Sequence, residues 1–491
     1  MDWSSIHEDI ERLIDTIPWF SIVSGIHLVL WLAAVFHALL YKRDPRSALG
    51  WVAVSLLFPV VGPLLYYMFG INRVETYAVR FSGRQPRRLK VGYERGAVLP
   101  NAADPLPPAI IPHSRIAEAA NRICTSPLVG NNRVLMLKNG NEAYPEMLDA
   151  IAQARHYVLL ASYLFETDRI GRKFIQALAD AAKRGVKVWV LVDGVGEFYS
   201  WPRASRLLRK SGVTVARFLP PRLLPPTFFI NLRNHRKILV VDGVKGFTGG
   251  MNIGGRHMVD PHKKTGTVDV HFSVSGPVVE QLVRVFAEDW RFATRQQLAL
   301  PSVDHVSCGP VFARCIRDGP NDDMDKIALV VNAAISAALK SITIVTPYFL
   351  PSPGMISSLQ SAALRGVEVA IILPEKSNLR FVDWACRNML WEVVQFGIKV
   401  FYQPSPFDHS KLLVVDGVYA QIGSANMDPR SLRLNFELNM ELFDDEIVKP
   451  LALHAEQLRE GARLLTLEEI EGRSLWVRLR DALFWLFTPY L

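Results

Sequence analysis

His235 and Lys237, and again His409 and Lys411, are the residues of this sequence best suited to chemistry on phosphate. Each pair opens the same run, His235-Arg-Lys-Ile-Leu-Val-Val-Asp242 and His409-Ser-Lys-Leu-Leu-Val-Val-Asp416. The register between the copies then holds without a gap through Gly249 and Gly423, Asn252 and Asn426, and Arg256 and Arg430. A lone His-x-Lys is a weak signal, but two full copies in register are a strong one. Brought together, the copies would make a pocket with two imidazoles and two ammonium groups, which suits a phosphodiester. Lys237, Lys411, Asn252 and Asn426 would stabilise the equatorial oxygens of a pentacoordinate transition state. One histidine would attack phosphorus to give a phosphohistidine, while the other protonates the leaving alcohol and later activates an acceptor hydroxyl.

An attacking imidazole must be neutral and oriented, which calls for a carboxylate on its other nitrogen. Asp269 and Glu437 are the candidates, since Val268-Asp269-Val270 lies over Phe436-Glu437-Leu438 and each acid sits between apolar neighbours. Residues two apart on a strand share a face, so His235 with Lys237 and His409 with Lys411 are expected to point into one space. Asp242 and Asp416 complete the candidate catalytic signature but fall on the other parity. Each is followed by Gly, a hairpin signal, and is assigned to turn formation or support of the site. The small residues Gly249-Gly250 and Gly423-Ser424 would let backbone approach a phosphate closely.

The elements that must hold these residues also occur twice. Tyr157–Ser162 resembles Ile342–Thr346, and Arg184-Gly-Val-Lys-Val-Trp-Val-Leu-Val192 resembles Arg365-Gly-Val-Glu-Val-Ala-Ile-Ile-Leu373. Gly212-Val-Thr-Val215 likewise matches Gly397-Ile-Lys-Val400. The recurring order of helix, Gly and apolar strand predicts an α/β fold of two similar lobes, each a central mixed sheet flanked by helices.

Before the lobes the chain is membrane-like. Trp19 to Tyr41 is apolar and long enough to cross a ~30 Å hydrocarbon core at roughly 1.5 Å per residue. A second apolar stretch, Leu49 to Phe69, is interrupted by Pro59, Gly62 and Pro63, which leaves a kinked or re-entrant second pass open. Two transmembrane helices are therefore expected. Glu8, Asp9, Glu11 and Asp15 precede the first where a cleaved signal would be basic. His27 and His37 are expected to be satisfied within the membrane rather than to relay protons. Arg73, Arg80, Arg84, Arg87, Arg88 and Lys90 after the second span put the lobes on the cytoplasmic side, whereas Lys42, Arg43 and Arg46 between the spans argue the other way.

The net charge of +9 favours an anionic partner, phospholipid or nucleic acid, and the mean hydropathy of +0.14 favours a membrane portion. Cys124, Cys308, Cys315 and Cys386 have no CxxC spacing and are read as reduced core thiols. His257, His262 and His271 fit no zinc pattern and are given packing or surface roles, so no metal and no cofactor is expected. The domain boundaries follow: 1–72 membrane anchor, 73–112 basic linker, 113–305 first lobe, 306–473 second lobe, and 474–491 an amphipathic segment. That last segment, Leu475–Phe487, concentrates Trp, Phe and Leu with two Arg, as an interfacial helix would. Arg222 and the loop Leu219 to Pro226 are expected to frame the pocket mouth.

Duplicated H-x-K-x4-D motifs followed by Gly-Gly or Gly-Ser and an Asn resemble the phospholipase D superfamily over roughly Ser114 to Arg473. Within it, the two apolar segments, Arg43–Trp51, Asn234-His-Arg-Lys237 and Gly423-Ser-Ala-Asn-Met-Asp428 resemble the bacterial cardiolipin synthases. The resemblance implies condensation of two phosphatidylglycerol molecules to cardiolipin and glycerol without nucleotide or required metal. It further implies His235 as nucleophile, His409 as acid and base, and a multi-pass place in the bacterial inner membrane. Other lipid phosphotransfer or hydrolysis, and nucleic-acid cleavage, stay open from the residues alone, the apolar spans weighing against the last.

Overall fold

The computed structural model describes residues 19–42, 45–70, 111, 113–221, 232–260, 265–301, 303, 307–319 and 325–488. The basic stretch from Arg73 to Lys90, Arg222 with the loop after it, and His262 lie outside them. The chain divides into two compact units, residues 1–83 and 84–491.

In the first unit, helix α1 spans Trp19–Tyr41, and its segment Val23–Tyr41 is long and apolar enough to cross a membrane. The second apolar stretch departs from the expected span. Helix α2, Pro45–Leu57, has 13 residues, about 20 Å at 1.5 Å per residue, which is short of a ~30 Å core. Pro59 then turns the chain, and the short helical segments Val61–Leu65 and Tyr66–Gly70 follow. Packing fixes this break, because a Cβ on Gly62 would stand 2.2 Å from the Val54 carbonyl oxygen. Both histidines have partners: His37 Nδ1 lies 2.8 Å from the Tyr66 hydroxyl, and His27 Nδ1 accepts the Val60 N–H at 3.2 Å.

The second unit is built on one 15-stranded mixed sheet. The first lobe supplies β1 (Val129–Lys138), β2 (Tyr157–Ser162), β3 (Lys187–Asp193), β4 (Thr214–Phe218), β5 (Ile238–Val241), β6 (Lys245–Gly249), β7 (Thr267–Val268) and β8 (Val270–Ser275). The second supplies β9 (Val311–Asp318), β10 (Ser341–Val345), β11 (Glu368–Pro374), β12 (Lys399–Gln403), β13 (Phe407–Asp408), β14 (Leu412–Val415), β15 (Tyr419–Gly423), β16 (Glu437–Phe443) and β17 (Arg463–Leu464). From the centre outward the first lobe reads β1-β8-β6-β5-β2-β3-β4, and the second repeats it as β9-β16-β15-β14-β10-β11-β12, with β17 at its edge. Strands β2, β3 and β4 run parallel, joined by helices such as Arg169–Lys183, and so do β10, β11 and β12. The remaining pairs of this sheet are antiparallel, and β7 and β13 lie outside it in a separate two-stranded parallel sheet. The expected two sheets are thus one, because β1 and β9 pair antiparallel, Val129 with Ala313 and Asn132 with Val311.

Apolar runs explain why the central strands are continuous. Tyr157–Ser162, Ile238–Val241 and Leu412–Val415 are buried along their whole length, as strands covered on both faces must be. Helix α3, Val278–Thr294, covers the first lobe and also reaches across to the second through Gln281, whose Oε1 accepts the Cys315 N–H. Of the cysteines, Cys315 and Cys386 are core thiols, whereas Cys124 is half-buried and Cys308 exposed, contrary to the uniform core role expected.

Candidate active site

The two signature runs do not begin as strands. His235–Lys237 and His409–Lys411 lie just ahead of β5 and β14, yet each pair still shares one space: Lys411 Nζ is 2.8 Å from His409 Nδ1, and His235 and Lys237 both stand against the Tyr163 ring. What fixes these segments is the opposite lobe. His235 N donates to Phe436 O at 2.9 Å and Phe436 N donates to Arg233 O at 2.9 Å. Reciprocally, β13 pairs with β7 in a two-stranded parallel sheet, and His409 N donates to Val268 O at 2.7 Å. Each histidine therefore lies beside the chain that carries the other lobe's acid.

The side chains cross in the same way. His235 Nδ1 is 3.1 Å from both carboxylate oxygens of Glu437, and His409 Nδ1 is 2.8 Å from Asp269 Oδ2. Both acids are wholly buried. An ionised carboxylate only accepts, so the Glu437 contact puts a proton on His235 Nδ1 and leaves Nε2 its lone pair, whereas at His409 the Lys411 ammonium also approaches Nδ1, at 2.8 Å. Burial pushes the His235 imidazole below its ordinary value, against the pull of Glu437, and burial with Lys411 pushes His409 well below. Burial thus disfavours the charged form of both rings.

The two acids are supported differently. Burial opposes ionisation of Glu437, yet His235, Lys237 and the Ser424 hydroxyl outweigh it and hold Glu437 below its usual range. Ser424 Oγ donates to Glu437 Oε2 at 2.5 Å, and Asn435 Nδ2 donates to Oε1 at 3.1 Å. For Asp269 burial wins and raises it, although Lys411 opposes this and the Val270 N–H donates to its Oδ1 at 2.8 Å. Gly250 occupies the place of Ser424 in the repeat, and a Cβ there would stand 2.3 Å from Asp269 Oδ1. Gly250 thus leaves room for the Asp269 carboxylate, whereas Gly249 packs on His271 and Gly423 on Leu438 O and Asn439.

Both lysines are buried and bond backward, Lys237 Nζ to His235 O at 2.5 Å and Lys411 Nζ to His409 O. Burial pushes Lys237 down to about 7 and Lys411 to about 8, with Glu437 and Asp269 resisting. Asn252 Oδ1 accepts the Leu164 N–H at 3.1 Å, while Asn426 Nδ2 donates to Ser431 Oγ at 3.1 Å. Asn426 Oδ1 is buried without a partner.

Asp242 and Asp416 stand apart from this cluster. Seven extended residues put each about 23 Å along the chain from its histidine at roughly 3.3 Å per residue. Asp242 accepts the N–H groups of Arg155, His156 and Tyr157 at 2.7–2.8 Å, capping the turn into β2. Asp416 does the same for Leu339, Lys340 and Ser341 ahead of β10, and also bonds His113 Nε2 at 2.7 Å. Both aspartates thus bond the backbone that leads into the strand beside their own motif strand.

Three features of the site escaped the sequence reading. Tyr163 and Tyr348 stand edge-on to His235 and His409, with ring centroids 5.2 and 6.5 Å away, and both follow a repeated strand. Asn234 and Asp408, each just before a histidine, accept the N–H two residues on at 3.0 and 2.7 Å and so bend the chain around it. Buried Arg236 ties the lobes together, donating to Asp289 Oδ1 at 2.6 Å, Asp318 O at 2.8 Å and Glu437 O at 2.9 Å. The register between the repeats marks the first two pairs in advance, but nothing local marks Arg236. His257 is buried, its Nε2 accepting the Asn252 N–H at 3.4 Å, and His271 is buried too. No cluster of three metal-binding side chains occurs among the described residues.

Comparison with known proteins agrees with this geometry. The family model described as the cardiolipin synthase PLD-like domain matches residues 147–290 and 331–459, and one described as the phospholipase D-nuclease N-terminal segment matches 29–70. The chain is 33% identical to a cardiolipin synthase of Geobacillus kaustophilus over 94% of its length and 92% of the relative's. It is 31% identical to cardiolipin synthase A of Pseudomonas putida over 96% and 98%. The phosphatidylserine synthase of Haemophilus influenzae shares the fold, with a TM-score of 0.57 at 14% identity over 77% of this chain and all of that one. The chain thus belongs to the family of cardiolipin synthases with paired phospholipase D-like domains.

Proposed function

We propose that the protein is a phosphatidyltransferase that moves a phosphatidyl group from one phosphatidylglycerol to another, giving cardiolipin and glycerol. The observation that carries this reading is the crossed pair of imidazole–carboxylate contacts beside two buried lysines. His235 Nε2 attacks phosphorus, the P–O bond to the first glycerol breaks, and His409, having taken up a proton, gives it to the leaving oxygen. His409 then removes the proton from a hydroxyl of the second phosphatidylglycerol. That oxygen attacks phosphorus, the P–N bond to His235 breaks, and cardiolipin leaves. Lys237 and Lys411 neutralise the phosphoryl oxygens. The order of the histidines rests on the resemblance and on the better-supported anion at Glu437. Asp242 and Asp416 hold the scaffold, and Asn252 and Asn426 line the phosphate.

The reaction as written uses no metal or cofactor and needs lipid, not nucleic acid. We place the protein in the bacterial cell membrane through 1–72, with a broken second pass, a linker 73–112, lobes 113–305 and 306–473 on the cytoplasmic side, and a terminal segment 474–491. The test is turnover of labelled phosphatidylglycerol by the full-length protein in mixed micelles. Cardiolipin and glycerol should appear in equal amounts, and His235→Ala and His409→Ala should each reduce the rate by about 10³-fold or more. Phosphatidate as the sole product would make the protein a hydrolase, and cleavage of DNA without lipid turnover would sink the proposal.

A further inference from the structure

A cavity of about 260 Å³ opens in the first lobe, lined by Trp201, Arg203, Ser205, Arg206, Arg209 and Arg217, with neither histidine in its wall. Four guanidinium groups meet there, and no carboxylate lines it. Arg217 is held by buried Glu197 at 3.0 Å, and Ser205 Oγ donates to the same carboxylate at 2.5 Å. Arg203 is propped on the Phe198 ring at 4.1 Å, and Arg209 donates to Val215 O at 3.4 Å. Arg203, Arg206 and Arg209 have no carboxylate partner among the described residues. Beside them Phe198 and Tyr199 are exposed, and Trp201 is 80% exposed.

Uncompensated guanidinium groups around a small cavity match the oxygens of a phosphate or phosphodiester. The three aromatic side chains narrow the choice of source. Exposed Trp and Tyr beside arginines are what a protein presents at the head-group layer of a bilayer, where ring and charge are both accommodated. A free phosphate would need only the charges. We infer that this pocket binds the phosphodiester head group of an anionic phospholipid that is not the one being cleaved, and so seats the first lobe on the membrane surface. The same loop reaches the site: Asp193 at its start accepts Arg233 Nη1 and the Asn234 N–H at 3.1 and 3.0 Å, and Gly196 packs against the carbonyl of Tyr163. The inference concerns binding and stands whatever reaction the histidines perform.

The test uses full-length protein carrying His235→Ala, reconstituted in nanodiscs of phosphatidylcholine with or without phosphatidylglycerol, followed by hydrogen–deuterium exchange. Residues 196–217 should be protected by the anionic discs alone. Arg206→Glu with Arg209→Glu should raise the anionic lipid needed for half-protection about tenfold or more, while Lys449→Glu on the second lobe leaves it unchanged. Equal protection in neutral discs, or in the double variant, overturns the inference. Protection of neutral-disc protein by inorganic phosphate alone assigns the pocket to free phosphate and overturns the lipid source. Protection by an oligonucleotide and not by lipid overturns it as well.

Discussion

The smallest features with consequences are the two carboxylates. Because Glu437 serves His235 and Asp269 serves His409, neutral replacements should affect the two halves of the reaction differently. Glu437→Gln is expected to suppress formation of the phosphohistidine, lowering the rate about 10²-fold or more by leaving the ring in the wrong tautomer. Asp269→Asn should slow both halves, because His409 is the acid of the first and the base of the second, and so should still leave labelled intermediate on the protein. Rapid quench with phosphorus-labelled lipid and counting of acid-sensitive protein-bound label distinguishes them, and equal label in both variants would contradict the assigned order. The lysines set the pH response. With Lys237 near 7 and Lys411 near 8, each is charged below its value and neutral above it. His235, held below its ordinary value, needs no deprotonation at neutral pH, while His409 must carry a proton to act as the acid and so adds to the fall on the alkaline side. kcat/KM should therefore fall as pH rises through about 7 to 8, while kcat holds to higher pH because bound phosphate keeps both ammonium groups protonated. Superimposed alkaline limbs would rule this out. The histidines, lysines and both acids were legible in the sequence, since the repeat exhibits each twice. Which acid serves which ring was not, because nothing local in the chain records a contact across lobes.

At the scale of elements, the motif aspartates act on strands rather than on chemistry. Asp416→Ala would strip acceptors from three N–H groups, at about 1–3 kcal/mol for each left buried and unsatisfied. A lowered melting temperature with nearly unchanged activity per folded molecule is expected, and loss of activity at unchanged stability would return Asp416 to the catalytic set. The strands themselves were readable because buried β-strands are continuous apolar runs and the glycines before them close helices. The start of β5 and β14 was not readable. His235–Lys237 and His409–Lys411 have strand-like sequence, but their backbone partners lie in the other lobe, and no local preference reports that. The broken second span shows the reverse: Pro59, Gly62 and Pro63 announced a break, and packing on Val54 fixed its position.

For the whole molecule, the lobes form one body through β1–β9, α3 and Arg236. Arg236→Met should remove a guanidinium from buried Asp289 and from two carbonyls, a loss of about 3–5 kcal/mol for a broken buried pair. Denaturant unfolding should show a lower midpoint than wild type, whereas an unchanged midpoint would show that Arg236 does not clamp the lobes. The two-lobe plan followed from the repeat, but the fusion of both sheets did not, because the pairing edges β1 and β9 carry only short, irregular contact.

The crossed contacts have a further consequence, which concerns descent. An arrangement in which each half completes the other's site, related by an approximate two-fold axis, is what a symmetric dimer of single lobes already provides. Joining two such lobes in one chain released them from identity. The position just after each returning strand, β6 and β15, holds Gly250 facing a short Asp in one half and Ser424 facing a longer Glu in the other. Two joined copies are free to differ in this way, whereas a dimer of identical lobes is not.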